Sequence, residues 1–335
     1  MTDSSTTILT RRDLLKAGAA VTAMAASRPA FAQNAEGGAH PVVLITGTSS
    51  GFGRLLAEGF ARQGAHVIAT MREVAGRNAP AAAELHALAS AEGLILEVVE
   101  IDVLSEKSVA AGVARAIELA GRIDVLVSNA GIVVPGPVEL QTVPAFSANL
   151  ETNMGGGLRL YRAVVPHMRN AGRGTIIQMS SALGRAIDPM LGGYCASKLA
   201  IEAAADALGY ELAASNIEVA IVQPAGAYPT QLQANAIRNW EALLTALDAA
   251  DRAKLETYAP HIELMLAGLV PDPELNPQEV ADAVLTLAAM EFGTRPGRLA
   301  VGPYKDGIEP VNAAHDQLQG EMMEHSPAID LLTLR

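Results

Sequence analysis

The sequence predicts a doubly wound α/β fold, in which one parallel sheet carries helices on both faces. Three observations favour this fold: short apolar runs recur along the chain, Ala- and Leu-rich helical patterns separate them, and a Gly-rich turn follows the first run. Continuous apolar runs are typical of parallel strands that are buried on both faces. The chain has 335 residues, of which 50% are hydrophobic, so it can bury a sizeable core.

Six strand candidates occur in chain order, and we expect helices between them. The first helical pattern is amphipathic and covers residues 54–63, shortly after the Gly-rich turn. The strand candidates are residues 42–45, 66–70, 94–101, 123–128, 175–179 and 218–223. The alternation of these two patterns predicts a single layered domain rather than several.

The first 32 residues are predicted to be a signal peptide that lies outside this domain. Arg11 and Arg12 form a twin-arginine pair, and a weakly apolar run over residues 17–26 follows them. An Ala-x-Ala cleavage site at residues 30–32 completes the pattern. The segment resembles a Tat signal, and the alternative interpretation is an Ala-rich N-terminal helix.

The signal predicts where the protein works. We expect cleavage after residue 32 and a periplasmic mature protein, or a cytoplasmic one if the signal is not used. Residues 33–40 are interpreted as a small-residue leader before the domain. The apolar run of the signal is about half the ~20 residues that a bilayer requires, so we predict no membrane span.

Composition excludes several kinds of partner. The net charge is -12, whereas a nucleic-acid surface needs a basic face, so we predict no nucleic-acid binding. One cysteine permits no internal disulfide and no zinc site built from two or four cysteines. The seven histidines show no metal-ligand spacing, so we predict no metal site.

The Gly-rich turn after the first strand candidate is typical of a phosphate-binding loop. Gly47 permits a tight turn, Gly51 permits close approach of the backbone to a pyrophosphate, and Gly53 permits the next helix to pack on the sheet. The N–H groups at the start of that helix would then face the phosphates. The candidate contacts in this turn are Gly47, Ser49, Ser50, Gly51, Phe52 and Gly53.

A second motif, Tyr194-Cys195-Ala196-Ser197-Lys198, places a phenol and an ammonium four residues apart. Residues at this spacing share one face of a helix. A nearby cation favours the phenolate, so we expect Lys198 to lower the pKa of Tyr194. A tyrosine of that kind can donate and accept a proton in alcohol–carbonyl chemistry.

Further motifs occur in a fixed order around these two. Ser128-Asn129-Ala130-Gly131 ends the fourth strand candidate, Asn153 follows, and Ser180-Ser181 ends the fifth. With these motifs the chain resembles the classical short-chain dehydrogenases/reductases (SDR family) over about residues 41–305. The resemblance implies a Rossmann-type parallel sheet of about seven strands in the order 3-2-1-4-5-6-7. Residues 306–335 are left as a polar, acidic C-terminal tail without an assigned role.

The resemblance also implies roles for individual residues. Tyr194 matches the catalytic acid/base, and Lys198 matches the residue that lowers its pKa and holds the nicotinamide ribose. Ser181 matches the serine that orients the substrate oxygen, and Asn153 the asparagine that holds a water linked to the lysine. The implied supports of the cofactor are Asn129, Ala130 and Gly131 at the fourth strand, and Asp102 with Val103 at the adenine.

The choice between NADP and NAD depends on the end of the second strand. A carboxylate there binds the ribose 2′-hydroxyl, whereas an arginine accommodates a 2′-phosphate. Met71 stands at this position and Arg72 follows it, which favours NADP(H) over NAD. Ser50 is less favourable, since many NADP-preferring members carry a second basic residue there; the alternative interpretation of Arg72 is a solvated surface charge.

The chain departs from the family after the sixth strand. One extra residue separates Pro224 from Gly226, but Thr230 still matches the threonine near the nicotinamide amide. We expect a substrate lid over about residues 229–275. The apolar residues of one helical face there are either core or lid, and a lid of this kind favours an apolar substrate. These residues are Trp240, Leu243, Leu244 and Leu247.

The sequence therefore predicts an NADP(H)-dependent oxidoreductase that interconverts an alcohol and a ketone or aldehyde on a small-molecule substrate. The alternative is a non-catalytic cofactor-binding regulatory or scaffold protein on the same fold. Members of the family commonly form dimers or tetramers through the helix that carries Tyr-x3-Lys and the helix before it. Residues 199–214 are Ala-rich, with Leu208 and Leu212 one turn apart, so we predict a homodimer or homotetramer.

Overall fold

The computed structural model describes residues 40–326. The predicted signal at residues 1–32 lies outside these described residues. The leader, apart from His40, and residues 327–335 of the C-terminal tail also lie outside them.

Seven parallel strands form one sheet in the order β3-β2-β1-β4-β5-β6-β7. This confirms the predicted fold class and strand order. The strands are β1 (Val42–Thr46), β2 (His66–Met71), β3 (Leu96–Glu100), β4 (Val125–Ser128), β5 (Gly174–Met179), β6 (Ile217–Pro224) and β7 (Arg298–Val301). The six strand candidates agree with the first six strands to within two residues at each end.

Helices cover both faces of this sheet. They are α1 (Gly51–Arg62), α2 (Ala79–Glu92), α3 (Glu106–Ala120), α4 (Val143–Leu150), α5 (Gly156–Ala171), α6 (Gly192–Leu212), α7 (Gln231–Ala246), α8 (Ala249–Ala253), α9 (Ala259–Gly268), α10 (Gln278–Ala289) and α11 (Lys305–Glu324). The amphipathic pattern predicted over residues 54–63 belongs to α1, which starts three residues earlier, inside the Gly-rich turn.

The sheet is buried because both of its faces are apolar. On one face α1, α2 and α10 pack on side chains that include Val43 and Ile45 of β1. On the other face α3, α5 and α6 pack on side chains that include Leu44 of the same strand. Successive side chains of a strand point to opposite faces, so the unbroken apolar run of β1 supplies both cores. Leu212 belongs to the second core and the half-buried Leu208 packs against it, so neither is the exposed leucine that we expected at a subunit interface.

The stretch that follows residue 305 is mostly helical rather than a plain tail. Helix α11 covers Lys305–Glu324 and contacts β7. Ile308 and Asn312 are the buried residues of this helix. Within the described residues, no helix is both long enough and apolar enough to span a bilayer.

Candidate active site

A cavity of about 540 Å³ runs along the carboxyl edge of the sheet. The ends of parallel strands meet at one edge, so the loops after the first six strands, β1 to β6, come together there. The predicted site residues that line it are Gly47, Ser49, Ser50, Gly51, Phe52, Arg72, Asp102, Val103, Asn129, Ala130, Gly131, Ser181, Tyr194, Lys198 and Thr230. Gly53 and Asn153 do not line it, and each supports the cavity from behind.

The Gly-rich turn has the conformation that its glycines predict. Gly47 and Gly51 have φ values of +74° and +56°, in the left-handed region that side chains disfavour. A Cβ on Gly53 would lie 2.2 Å from the Gly47 carbonyl oxygen, so α1 could not pack this close to β1 with any other residue. The start of α1 therefore presents its backbone N–H groups to the cavity.

Asn129 braces this turn against the end of β4. Its Nδ2 donates to the Thr46 carbonyl oxygen at 2.8 Å. The Thr46 hydroxyl in turn accepts from the backbone N–H groups of Asn129 at 3.0 Å and Ala130 at 3.1 Å. These bonds fix the spacing between two loops that form the floor of the cavity.

The loop after β6 closes over the turn despite its extra residue. A Cβ on Gly51 would lie 3.3 Å from the Thr230 Cβ, so the two segments are in contact distance. Tyr228 fills the extra length: it is buried, stacks edge-on against Phe52 at 5.5 Å and donates to Glu279 at 2.5 Å. The insertion therefore leaves Thr230 beside the cavity.

The predicted catalytic side chains meet at the other end of the cavity. Tyr194 and Lys198 lie one turn apart on α6, with the Lys198 Nζ 5.7 Å from the centre of the phenol ring. Lys198 donates to the Met179 carbonyl oxygen at 3.1 Å, at the end of β5. Ser181 follows β5, where its hydroxyl accepts from the backbone N–H of Leu183 at 3.1 Å. The residues Tyr194 and Lys198 are 7% and 5% exposed, so both are almost removed from solvent.

Burial shifts both groups in the direction of their neutral forms. It raises the pKa of Tyr194 to about 12, against a smaller lowering by a hydrogen bond with Ser181. It lowers the pKa of Lys198 to about 8, against a smaller raising by Glu202. The expected lowering of the Tyr194 pKa by Lys198 is therefore wrong for this structure, because loss of hydration outweighs the attraction of a cation that lies 5.7 Å from the ring centre.

Asn153 supports the site through α6. It lies in a π-helical segment, Glu151–Gly155, between α4 and α5. Its Oδ1 accepts from the Ile132 N–H at 2.8 Å, and its Nδ2 donates to the Ile132 carbonyl oxygen at 2.9 Å and to the Ser197 hydroxyl at 2.8 Å. Ser197 then donates to the Tyr194 carbonyl oxygen at 2.7 Å. Both amide protons are thus used to join the loop after β4 to the helix that carries Tyr194.

The loops after β2 and β3 form the far end of the cavity. Arg72 is exposed, and its carbonyl oxygen accepts from the Asn78 side chain at 2.7 Å. Within residues 40–326 no carboxylate lies within ion-pair distance of the Arg72 guanidinium, whereas the neighbouring Arg77 pairs with Glu73 at 3.3 Å. Asp102 caps its own loop, accepting from the Leu104 N–H at 3.1 Å.

Helix α7, within the predicted lid, forms the roof of the cavity. Of the two interpretations of the apolar stripe, core describes most of it: Trp240 and Leu243 of α7, and Leu247 just after it, pack in one cluster. The other buried members of this cluster are Leu140, Met190 and Met265. Its other side carries polar residues that line the cavity and that we did not predict, namely Asn235, Arg238 and Asn239. Arg238 donates to Asn235, and Asn239 donates to the Val133 carbonyl oxygen at 2.7 Å. Polar residues at i, i+3 and i+4 opposite an apolar stripe were the available signal.

The electrostatics of the cavity contrast with those of the whole chain. Four cationic side chains line it, against the single carboxylate of Asp102. The cations are Arg72, Arg77, Lys198 and Arg238. In a chain of net charge -12 this concentration of positive charge favours an anionic ligand such as a phosphorylated cofactor. In the described part of the chain, no group of three or more His, Cys, Asp or Glu side chains could hold a metal ion.

Comparison with known proteins decides the family. The model of the short chain dehydrogenase family matches residues 41–241, which is more than half of the chain. The chain belongs to the short chain dehydrogenase family. It is therefore an NAD(P)-dependent oxidoreductase with a Rossmann-type domain.

Three relatives illustrate the range of this family. Human 17-beta-hydroxysteroid dehydrogenase type 1 is 34% identical over 253 residues, which cover 74% of each chain. A 3-ketodihydrosphingosine reductase from Bacteroides thetaiotaomicron is 36% identical over 183 residues. These residues cover 55% of this short chain dehydrogenase and 62% of the reductase. A solved structure of a variant actinorhodin polyketide ketoreductase with NADPH is 26% identical, with a TM-score of 0.64 over 79% of this chain and 97% of that one.

Proposed function

We propose that the protein is an NADP(H)-dependent oxidoreductase that interconverts an alcohol and a ketone or aldehyde on an apolar substrate, with Tyr194 as acid/base. One observation carries the proposal: Ser181, Tyr194 and Lys198 meet at one end of a cavity whose other end holds Arg72 and the Gly-rich turn. A dinucleotide extended along such a cavity would reach both ends.

The residues of the cavity fit this cofactor. The turn is closed to side chains at Gly47 and Gly53, as close approach of a pyrophosphate requires. The N–H groups at the start of α1 would hold the phosphates. The exposed guanidinium of Arg72 would meet a 2′-phosphate, and Met71 offers no carboxylate to repel it.

The chemistry follows from the catalytic side chains. A nicotinamide cofactor supplies or accepts a hydride when it is bound. With a pKa of about 12 the Tyr194 phenol is protonated at neutral pH, so it can donate a proton to the oxygen of a carbonyl compound during reduction. The Ser181 hydroxyl would orient that oxygen, and the ammonium of Lys198 would stabilise the phenolate that forms.

An apolar substrate is supported by the surroundings of Tyr194. Its ring is buried with Val133, Ala236 and Leu269. Further partly buried leucines pack on the same cluster, namely Leu183, Leu191 and Leu232. A substrate that reaches the phenol must therefore pass between hydrocarbon side chains, where an apolar body gains free energy by burial.

Deuterium transfer tests the proposed reaction. The purified protein is incubated with NADPH that carries deuterium on one face of the nicotinamide C4, together with a panel of ketones and aldehydes of increasing apolar length. We expect deuterium transfer from only one face of the nicotinamide ring. The kcat/KM of the carbonyl substrates should rise with their apolar length. A non-catalytic cofactor-binding protein would bind NADPH and transfer no deuterium to any member of the panel.

We propose that the mature protein is exported to the periplasm by its Tat-like signal. The twin arginines at residues 11 and 12 and the Ala-x-Ala site at residues 30–32 support export. Export in the folded state would carry the cofactor out inside the protein.

We further propose a homodimer or homotetramer that forms through α5 and α6. The outer faces of these two helices expose Leu158 and Leu199, which are 45% and 40% accessible. Ala203 and Ala207 continue the exposed stripe of α6 one and two turns beyond Leu199. Small residues beside exposed leucines permit close approach of a second copy.

A further inference from the structure

Glu202 is a buried carboxylate behind the proposed catalytic residues. It lies on α6 one helical turn after Lys198 and two turns after Tyr194, and its side chain is 1% exposed. A buried carboxylate is costly unless charged and polar neighbours compensate for its lost hydration. The identity of those neighbours shows what the carboxylate holds in place.

Three elements supply the direct partners of Glu202. The Ser180 hydroxyl donates to its Oε1 at 2.6 Å, immediately before Ser181 in the sequence. The Gln223 amide of β6 donates to both carboxylate oxygens, at 2.9 and 3.1 Å. Two guanidinium groups complete the shell, with Arg185 Nη2 at 3.1 Å and Arg298 Nε at 3.5 Å from Oε2.

The C-terminal helix holds these partners from outside. The Asn312 side chain of α11 accepts from Arg185 Nε at 3.1 Å and donates to Gln223 Oε1 at 2.7 Å. Arg298 of β7 also pairs with Asp206 of α6 and, at 3.1 Å, with Asp316 of α11. The network thus joins α6, β6, β7 and α11 around one carboxylate.

The carboxylate also presses against the turn that follows Ser181. A Cβ on Gly184 would lie 2.2 Å from Glu202 Oε1, so this turn closes on the carboxylate without room for a side chain. Ser180 is fixed a second time, because its N–H donates to the Val222 carbonyl oxygen at 2.7 Å. Ser181 therefore leaves β5 from a position that Glu202 and β6 determine together.

Charge connects the same carboxylate to Lys198. The groups that face the ammonium are the Tyr194 phenol and Glu202 on its own helix and the Met179 carbonyl on β5. Burial lowers the pKa of Lys198, and the negative charge of Glu202 opposes that lowering. Arg185 and Arg298 pair with Glu202 and partly neutralise its charge; Asp206 and Asp316 in turn pair with Arg298.

We propose that Glu202 is a positioning residue for the active site: it fixes Ser180, and with it Ser181, and it keeps Lys198 protonated. This role rests on the proposed function of Ser181, Tyr194 and Lys198. The chemistry of the step itself remains with those three residues.

Glu202→Gln tests the charge while keeping the size of the side chain. Without the carboxylate the Lys198 pKa should fall further, so the protonated form is lost at lower pH. The basic limb of the pH profile of kcat/KM should therefore move to lower pH, by roughly 0.5 to 2 pH units for a charge one helical turn away. Glu202→Asp keeps the charge and should return the limb to within about 0.3 pH units of wild type.

Arg185→Met provides a change of opposite sign. It removes a cation that partly neutralises Glu202, so the carboxylate should hold the proton on Lys198 more strongly and the basic limb should move to higher pH. Arg185 Nη2 forms no hydrogen bond to the carboxylate despite the 3.1 Å separation. The variant therefore removes one hydrogen bond of the network, from Arg185 Nε to Asn312, and leaves the bonds of Ser180 and Gln223 to Glu202 in place. If the charge of Glu202 had no effect on Lys198, the basic limb of the pH profile would move in the same direction in Glu202→Gln and Arg185→Met, or in neither.

Glu218→Gln is the matched control. Glu218 forms a partly buried ion pair with Arg295 at the start of β6, at the amino edge of the sheet, away from Lys198. This variant should lower the midpoint of denaturant unfolding and leave the basic limb where wild type has it. A limb that moves equally in Glu218→Gln and Glu202→Gln would overturn the proposal.

Cofactor binding provides a measurement that does not depend on turnover. The Kd of NADPH is measured by fluorescence between pH 6 and 10 for wild type and each variant, since loss of the Lys198 charge should weaken binding. If the Glu202→Gln protein does not fold, Arg185→Met and Glu202→Asp decide the outcome alone. Coincident binding profiles for wild type, Glu202→Gln and Arg185→Met would contradict the role of Glu202, whereas a carbonyl panel without turnover would contradict the proposed function only.

Discussion

Reversing the charge of Arg72 is the sharpest test of cofactor choice. The natural alternative, an aspartate at residue 71, is unsuitable, because Met71 is 2% exposed and packs in the core beside β1. Although Met71 also lines the cavity, a carboxylate there would lose its hydration in the cofactor-free protein and would destabilise the fold. Arg72 is exposed and lines the same cavity, so Arg72→Ala and Arg72→Glu change the charge without touching the core.

The magnitude follows from the exposure of Arg72. In water, two unit charges 4 Å apart interact by about 1 kcal/mol, and a 2′-phosphate carries nearly two charges. Salt screening reduces this sum of about 2 kcal/mol by roughly half at physiological ionic strength. Removing the cation should therefore cost ~1 kcal/mol, or about 5-fold, and reversing it ~2 kcal/mol, or about 30-fold.

The quantity to measure is the ratio of kcat/KM for NADPH to that for NADH. We expect this ratio to fall about 5-fold in Arg72→Ala and about 30-fold in Arg72→Glu, with smaller changes at high salt. Arg77→Ala is the control, because Arg77 lines the same end of the cavity but is already paired with Glu73. A ratio that stays within twofold of wild type in Arg72→Glu, or that falls only in Arg77→Ala, would refute the reasoning.

Four further predictions concern catalysis, support, assembly and location. Tyr194→Phe should lower kcat ~100- to 10,000-fold with an unchanged Kd for NADPH, and more than a tenth of wild-type activity would contradict its role. Asn312→Leu should lower the free energy of unfolding by about 2 kcal/mol or more and should also lower kcat. A loss of stability with an unchanged kcat would show that α11 stabilises the fold and does not position the active site. Light scattering should show a dimer or tetramer that Leu199→Glu dissociates; a wild-type monomer at micromolar concentration argues against assembly. Changing Arg11 and Arg12 to Lys should leave an uncleaved cytoplasmic precursor, and fractionation that finds the wild type there too would exclude export.

Local patterns made much of the site predictable. The Gly-rich turn and the Tyr-x3-Lys pair depend on residues within one turn of each other, so backbone geometry alone places Gly47 beside Gly53 and Tyr194 above Lys198. The order of the sheet came from resemblance, because the apolar runs that identify strands carry no information about which strands are neighbours. The run of β1 is a clear example, since its alternate residues serve two separate cores.

Other features depend on partners that are distant in the sequence. The resemblance implies a seventh strand, but its position was not predicted, because the apolar run of β7 is only the three residues that follow Arg298. Glu202 resembles an ordinary solvent-exposed acid at i+4 from a lysine, and it is buried by partners about 20 positions away, such as Ser180, and about 100 positions away, such as Arg298. The Tyr194 pKa was predicted in the wrong direction for the same reason: a sequence shows the nearby cation and does not show the loss of water.

The residues proposed to carry out the reaction and the residues that hold them in place lie in different parts of the chain. The family model ends at residue 241, and the proposed catalytic residues all lie before that point. Arg298 and Asn312 lie beyond it, yet they complete the shell of the carboxylate that fixes Ser180. A side chain held on one side by its own helix and on the other by a distant strand and helix responds to changes in either. Sequence changes after residue 241 can therefore alter the position of Ser181 and the charge of Lys198 while every residue of the catalytic motifs stays the same.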